Sequence, residues 1–327
     1  MSPAVAAPLF LVSLAVTLAA ARLFARRLDR LGVRFGFPEA LIGLLTAVAA
    51  DGPEISSALF ALVKGAHDVG VGVLVGSNGF NLAAMIGLSA LLTGQVRLAR
   101  ETLMFEGAVG LVITVLAAAL LLKWLSPAGA TILSAVIVFP YLTVVVAGPR
   151  FRGRNLSRLS HALHEHAATD RPPDTSTDPT HHLLGLIVVD LILIVAGSAG
   201  MVQSALSLAG DWHIPNAVLG FLILGPLTSI PNALTAGRLG LAGRGAALVG
   251  ETFNSNTINL GFGVIVPSLF VTFAAITTLG KFQLAWLIVA TVVTLAALAR
   301  RGGMRRAEAA VLVGLYFAFV AGTLVGS

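Results

Sequence analysis

Two acids stand where a chain is least able to hold them. The stretch Val48-Ala49-Ala50-Asp51-Gly52-Pro53-Glu54-Ile55-Ser56-Ser57 sets Asp51 and Glu54 around a Gly-Pro pair, inside a run otherwise apolar enough to cross a membrane. Carboxylates supply the oxygen ligands that hard cations such as Na⁺ and Ca²⁺ require. Neighbouring carboxylates also repel, and a proton relieves that repulsion as a cation does. Buried acids serve acid/base catalysis too, but no histidine or nucleophile joins them and no zinc-type motif appears, which argues against a membrane enzyme. Ionisable residues at membrane depth mark a site by default. The Gly52-Pro53 pair breaks the helix, and irregular backbone is tolerated there only where it is buried or lines a cavity.

The elements that must position these acids follow from composition. The chain has 327 residues, 57% hydrophobic and 11% charged, against about 25% charged in a soluble domain. Apolar runs recur along its whole length, each near the roughly 20 residues that span hydrocarbon as a helix. They predict ten spans at 3–22, 37–63, 69–94, 102–122, 127–148, 183–208, 215–237, 245–270, 280–299 and 307–326. The first is not a cleaved leader, because its start, MSPAVAA, has no basic residue. There is no cysteine, which removes disulfides, thiolate metal sites and cysteine nucleophiles.

The net charge of +6 is an orientation signal rather than a mark of nucleic-acid binding. Arg22, Arg26, Arg27, Arg30 and Arg34 fall between spans 1 and 2; Arg97 and Arg100 fall between 3 and 4. Arg150, Arg152, Arg154, Arg158 and Arg171 follow span 5, Arg238 and Arg244 follow span 7, and Arg300, Arg301, Arg305 and Arg306 follow span 9. The lysines, Lys64, Lys123 and Lys281, all fall on the other side. The positive-inside rule makes the arginine side cytoplasmic, with both termini outside an inner (plasma) membrane. The polar segment 149–182, with His161, His164, His166, His181 and His182, has the composition of a flexible linker rather than of a metal-sensing loop.

That linker divides the spans five and five, and the halves repeat. FPEALIG (37–43) is similar to IPNAVLG (214–220), GPEISSAL (52–59) to IPNALTAG (230–237), and GSNGFNLAAMIG (76–87) to NSNTINLGFGVI (254–265). Glu54 and Asn232, Ser77 and Ser255, Asn78 and Asn256, and Asn81 and Asn259 are each 178 apart. Five spans per half turn the second half upside down, the plan of transporters with midplane sites at the repeat interface. Pro226 and Pro231 break span 7 as Gly52-Pro53 breaks span 2.

At these residues the sequence resembles the cation/calcium exchanger superfamily of sodium/calcium and proton/calcium antiporters. Its members carry G-T-S-L-P-E followed by G-S-N-x-x-N in each repeat. Here the first repeat reads Ala49-Ala50-Asp51-Gly52-Pro53-Glu54 and Gly76-Ser77-Asn78-Gly79-Phe80-Asn81. The second reads Leu227-Thr228-Ser229-Ile230-Pro231-Asn232 and Asn254-Ser255-Asn256-Thr257-Ile258-Asn259. The resemblance implies an all-α membrane protein of ten transmembrane helices in two inverted five-helix repeats with helices 2 and 7 broken. The domains would be 1–148, the cytoplasmic linker 149–182, and 183–327. The departures from the pattern that bear on the chemistry are Asn232 in place of the second acid, Asp51 where serine is usual, Ala50 where threonine is usual, and Asn259 where some members carry an acid.

The resemblance further implies that Asp51, Glu54, Ser77 and Asn81 face Thr228, Ser229, Asn232, Ser255 and Asn259 across a central cavity. Asn78 and Asn256 lie beside them, and the carbonyls of Ala47 and Gly225 are near the breaks. Helical spacing agrees, since Ser77/Asn81 and Ser255/Asn259 are i,i+4 pairs. Metal ligation would fall first to Glu54 and Asp51, whose charge of −2 matches one Ca²⁺ or two monovalent ions. Glu251 shares the face of Ser255 and Asn259; it either stands in for the acid missing at Asn232 or sits at the mouth of the cytoplasmic vestibule. Glu106 and Asp190 read as paired structural residues, and Glu39 as complementing its helix N-terminus. The expected function is a secondary cation antiporter, not an enzyme, with Ca²⁺, Na⁺ or H⁺ as cargo, no cofactor, and the bilayer and inorganic cations as partners. Sodium/proton and calcium/proton exchange, a channel and a non-transporting homologue are the rivals.

Overall fold

The computed structural model describes residues 1–37, 39–97, 100–147 and 179–326. Most of the linker, with His161, His164 and His166, lies outside the described residues, as does the side chain of Glu39. Each apolar stretch expected from the sequence coincides with a helix or with a broken pair of helices. Among the described residues five helices are long and apolar enough to cross a membrane. They are α1 (Pro3–Arg34), α4 (His67–Thr93), α7 (Thr180–Asp211), α11 (Thr278–Arg301) and α12 (Arg306–Val325). A sixth is reached if α8 (Asn216–Thr228) and α9 (Ile230–Leu241), bent by 49° at Ser229, are taken together. The remaining helices are α2 (Glu39–Ala50), α3 (Gly52–Val63), α5 (Arg100–Leu121), α6 (Pro127–Ala147) and α10 (Gly245–Leu260).

The architecture has a dry centre and an apolar rim. The most apolar window of α4 is 89% buried, whereas those of α1 and α7 are 28% buried. These two outer helices pack along one another and present Leu11, Val12, Val188, Leu191 and Ile192 outward, as lipid-facing helices do. Helix α1 runs past its apolar stretch to Arg34, because arginine is a good helix former and Arg27 reaches across to buried Asp190 in an ion pair. A feature the hydropathy pattern did not announce is a two-stranded antiparallel ribbon. It joins β1 (Gln95–Arg97) to β2 (Gly303–Arg305), with Val96 opposite Met304. Three residues are too few to leave a period-two signal.

The two helix breaks are conformational copies. Asp51 links α2 to α3 at φ −81°, ψ 0°, and Ser229 links α8 to α9 at φ −84°, ψ −2°. In both, proline sits in the first turn of the following helix, where its missing N–H is harmless to that helix. It is harmful to the preceding one, because the carbonyls of Ala49 and Leu227 lose the N–H they would have bonded. Helix α4 changes to a π-helix over Asn81–Leu88, and α10 continues as a π-helix over Gly261–Ile265. Such wide turns recur at functional sites.

Helices α4 and α8 meet backbone to backbone beside Ser77. A Cβ on Gly76 would fall 2.4 Å from the Phe221 carbonyl oxygen and 2.7 Å from its Cα. A Cβ on Gly225 would fall 2.8 Å from the Ser77 nitrogen. These are main-chain atoms, which cannot swing aside, so only glycine permits the approach. Gly76→Ala should therefore lower stability by about 1–3 kcal/mol and disturb the site behind it. Gly185→Ala is the control, since nothing lies within 4 Å of that position. Thermal melts of both variants in detergent check this: Gly76→Ala should melt well below the parent, and Gly185→Ala with it.

Candidate cation site

The two breaks bring both acids to one buried centre. Asp51, Glu54, Ser77, Asn81, Thr228, Ser229, Asn232, Ser255 and Asn259 are all buried. Ser229 Oγ donates to Glu54 Oε1 at 2.9 Å, and Asn232 Nδ2 donates to Asp51 Oδ1 at 2.7 Å and to Glu54 Oε1 at 3.4 Å. Ser255 Oγ donates to Asp51 Oδ1 at 2.7 Å. The donors thus come from the second half of the chain and the carboxylates from the first.

Around this centre the contacts come in matched pairs. Asn78 Nδ2 donates to the Asn256 carbonyl at 3.1 Å, and Asn256 Nδ2 to the Asn78 carbonyl at 3.2 Å. Asn81 Nδ2 donates to Ser255 Oγ at 3.2 Å and Asn256 Oδ1 at 3.1 Å. Asn259 Nδ2 donates to Ser77 Oγ at 3.4 Å and Asn78 Oδ1 at 3.1 Å. Shifting every residue by 178 turns one member of each pair into the other.

What these contacts leave over is chemically specific. Asp51 Oδ2, Glu54 Oε2, Asn81 Oδ1 and Asn259 Oδ1 are buried and accept no hydrogen bond. All four are oxygen acceptors, the ligand type of hard cations. Among the described residues neither Asp51 nor Glu54 forms an ion pair. Two carboxylates out of water with no counter-charge are strongly destabilising, and neutral donors offset only part of that cost. A positive charge delivered to these oxygens supplies the remainder.

Other expected residues stand differently. Thr228 Oγ1 turns back on its own helix, donating to the carbonyls of Leu224 and Gly225 at 3.0 Å each. Ser77 Oγ donates to the Leu74 carbonyl at 3.0 Å, which leaves its lone pairs toward Asn259. The Ala47 and Gly225 carbonyls each accept a helical bond, from Asp51 N at 3.0 Å and Ser229 N at 3.2 Å. The breaks are only one residue long, so the helical ladder reaches them. Glu251, four residues before Ser255, is half-buried and takes part in none of these hydrogen bonds. Asp190 is paired with Arg27 as expected, but among the described residues Glu106 forms no ion pair. Its buried Oε2 has no partner, and its carboxyl lies against Gly250, where a Cβ would come within 2.7 Å of it. The sequence reading missed Ser57, buried with an unpartnered Oγ one turn after Glu54; its i,i+3 spacing from Glu54 was the available signal.

Known proteins resemble this chain across both of its halves. The profile of the family described as "Sodium/calcium exchanger protein" matches residues 5–147 and 182–325. "Putative antiporter CaxA" of Alkalimonas amylolytica is 30% identical over 234 residues, 69% of this chain and 70% of that one. "Uncharacterized membrane protein MJ0091" of Methanocaldococcus jannaschii is 22% identical over 246 residues, 74% of each. Among solved structures, the sodium-calcium exchanger NCX_Mj soaked with 2.5 mM Na⁺ and 10 mM Sr²⁺ superposes with TM-score 0.59 at 20% identity, covering 98% of this chain and 99% of that one. Native YfkE superposes with TM-score 0.64 at 16% identity, covering 97% and 92%. This chain is a multi-pass membrane protein and belongs to the sodium/calcium exchanger family.

Proposed function

We propose that the chain is a secondary active antiporter that exchanges Ca²⁺ for Na⁺ by alternating access. The carrying observation is the set of buried, unpartnered oxygens, those of Asp51 and Glu54 at a helix break and those of Asn81 and Asn259 on α4 and α10. Ser77, Ser229, Asn232 and Ser255 complete the ligand shell; Asn78 and Asn256 tie its two sides together. Burial of the whole set suits the occluded stage of such a cycle. The family membership and the CaxA and NCX_Mj relatives support a transporter rather than an enzyme.

In this reading the broken helices complete ten spans in two inverted five-helix repeats, 1–148 and 183–327, joined by the cytoplasmic segment 149–182. The paired contacts, related by the shift of 178, support it. So does the likeness of the two breaks. Protons are the alternative counter-ion, because both carboxylates meet at one neutral amide, Asn232.

Counter-ion-dependent uptake of radiolabelled Ca²⁺ into proteoliposomes tests the proposal. Uptake should need an outward Na⁺ or H⁺ gradient, and uptake down its own gradient without a counter-ion would mean a channel instead. Orientation is tested separately. Reporters at Ser157 or Arg301 should read cytoplasmic, and those at Lys123 or Lys281 external, in an inner (plasma) membrane. One loop reading the other way would break the span count.

A further inference from the structure

Resting on the antiporter reading, we infer that each turnover is electroneutral, moving one divalent ion against two monovalent ions, and that Asn232 is the residue that sets this charge count. The centre holds two carboxylates, Asp51 and Glu54, and every other side chain in it is a hydroxyl or an amide. The positions 178 further on, Ser229 and Asn232, carry no charge and are turned against those acids as donors. Where a third negative charge would stand, the chain places an N–H pointed at Asp51 at 2.7 Å. That geometry does more than omit a charge. It fills the space beside the two acids with positive dipole, where another cation would have to sit.

The free oxygens divide in the same way. Asp51 and Asn81 are tied together through Ser255, and each keeps one unpartnered oxygen. Glu54 and Asn259 keep the other two. Each carboxylate group carries one negative charge to neutralise, which suits one monovalent ion apiece, or a single divalent ion shared. A third monovalent ion would leave an uncompensated positive charge in a site buried from both sides, the arrangement that membrane interiors disfavour most.

The remaining acids do not alter the count. Glu251 is half-buried and hydrogen-bonds to none of the central residues. Glu106 hydrogen-bonds to none of the central residues and faces Gly250. Asp190 is neutralised by Arg27.

The test is the equilibrium poise of the full-length chain in proteoliposomes, with potential set by K⁺ and valinomycin. Against a roughly tenfold Na⁺ gradient, or a pH gradient of about one unit, zero net Ca²⁺ flux should occur at about a hundredfold Ca²⁺ gradient, and potential should not move that point. One net charge per turnover would shift it about fifty-fold per 100 mV, and that shift would overturn the inference while leaving the antiporter intact. Ca²⁺ movement coupled to neither gradient would instead remove the antiporter reading and this inference with it. In Asn232→Asp, a poise that stays blind to potential would show that Asn232 does not set the count; acquired potential dependence supports it.

Discussion

Glu54→Gln should abolish exchange while leaving a folded protein in the membrane. The variant removes one of two charges at the centre but keeps an oxygen that accepts from Ser229, now at 2.9 Å from Glu54 Oε1. A unit charge about 4 Å from another is worth about 4 kcal/mol at an effective dielectric of about 20, and a divalent ion doubles it. Each tenfold in affinity needs about 1.4 kcal/mol, so Ca²⁺ affinity should fall at least about a hundredfold. The parent should gain thermal stability from Ca²⁺ by mass action, and the variant should not. Without Ca²⁺ the variant should melt at or above the parent, because one uncompensated buried charge is gone. A variant that melts lower and aggregates would report a folding defect. One that folds and transports normally would place the site elsewhere.

Asn232→Glu should act in the opposite sense. Its amide now donates to Asp51 at 2.7 Å and to Glu54 at 3.4 Å. A carboxylate there meets two acceptors with a third. Losing the donor costs about 1–3 kcal/mol, and the added repulsion is of order 4 kcal/mol at an effective dielectric of about 20. Without ions the variant should therefore be strongly destabilised. A divalent cation relieves both defects at once, so the stability gained from Ca²⁺ should exceed that of the parent, and Ca²⁺ affinity at alkaline pH should rise at least about tenfold. Calorimetric titration with melts in chelator and in Ca²⁺ measures all three. Unchanged affinity at alkaline pH would mean that Asn232 does not face the ion.

Much of this centre was legible because membranes make polar residues conspicuous. Asp51 and Glu54 stood out against an apolar run, and the 178-residue offset named Asn78, Asn81, Asn256 and Asn259 as partners before their contacts were visible. Helix-breaking prolines located both breaks, since a missing N–H is a property of residue type rather than of packing. What the sequence concealed depends on side-chain direction. Thr228 matched the family motif as well as Ser229 did, yet its hydroxyl closes on Leu224 and Gly225 within its own helix. That local bond is open to any helical threonine. Glu106 read as half of an ion pair because a buried acid normally has one; its neighbour is a glycine, which leaves no trace in a charge pattern. Gly76 stood in the family motif and Gly225 as a carbonyl near a break, but only the crossing of α4 and α8 shows that main-chain atoms occupy the space a Cβ would need.

The most direct measurement is an anomalous-difference map from crystals of the parent grown in Ca²⁺. Density should lie about 2.3–2.6 Å from Asp51 Oδ2 and Glu54 Oε2, with Asn81 or Asn259 Oδ1 completing the shell. It should vanish in Glu54→Gln crystals grown alike. Saturating Ca²⁺ in a transport-competent protein with density at Glu106 or Glu251 instead, and none between Asp51 and Glu54, would contradict the assignment.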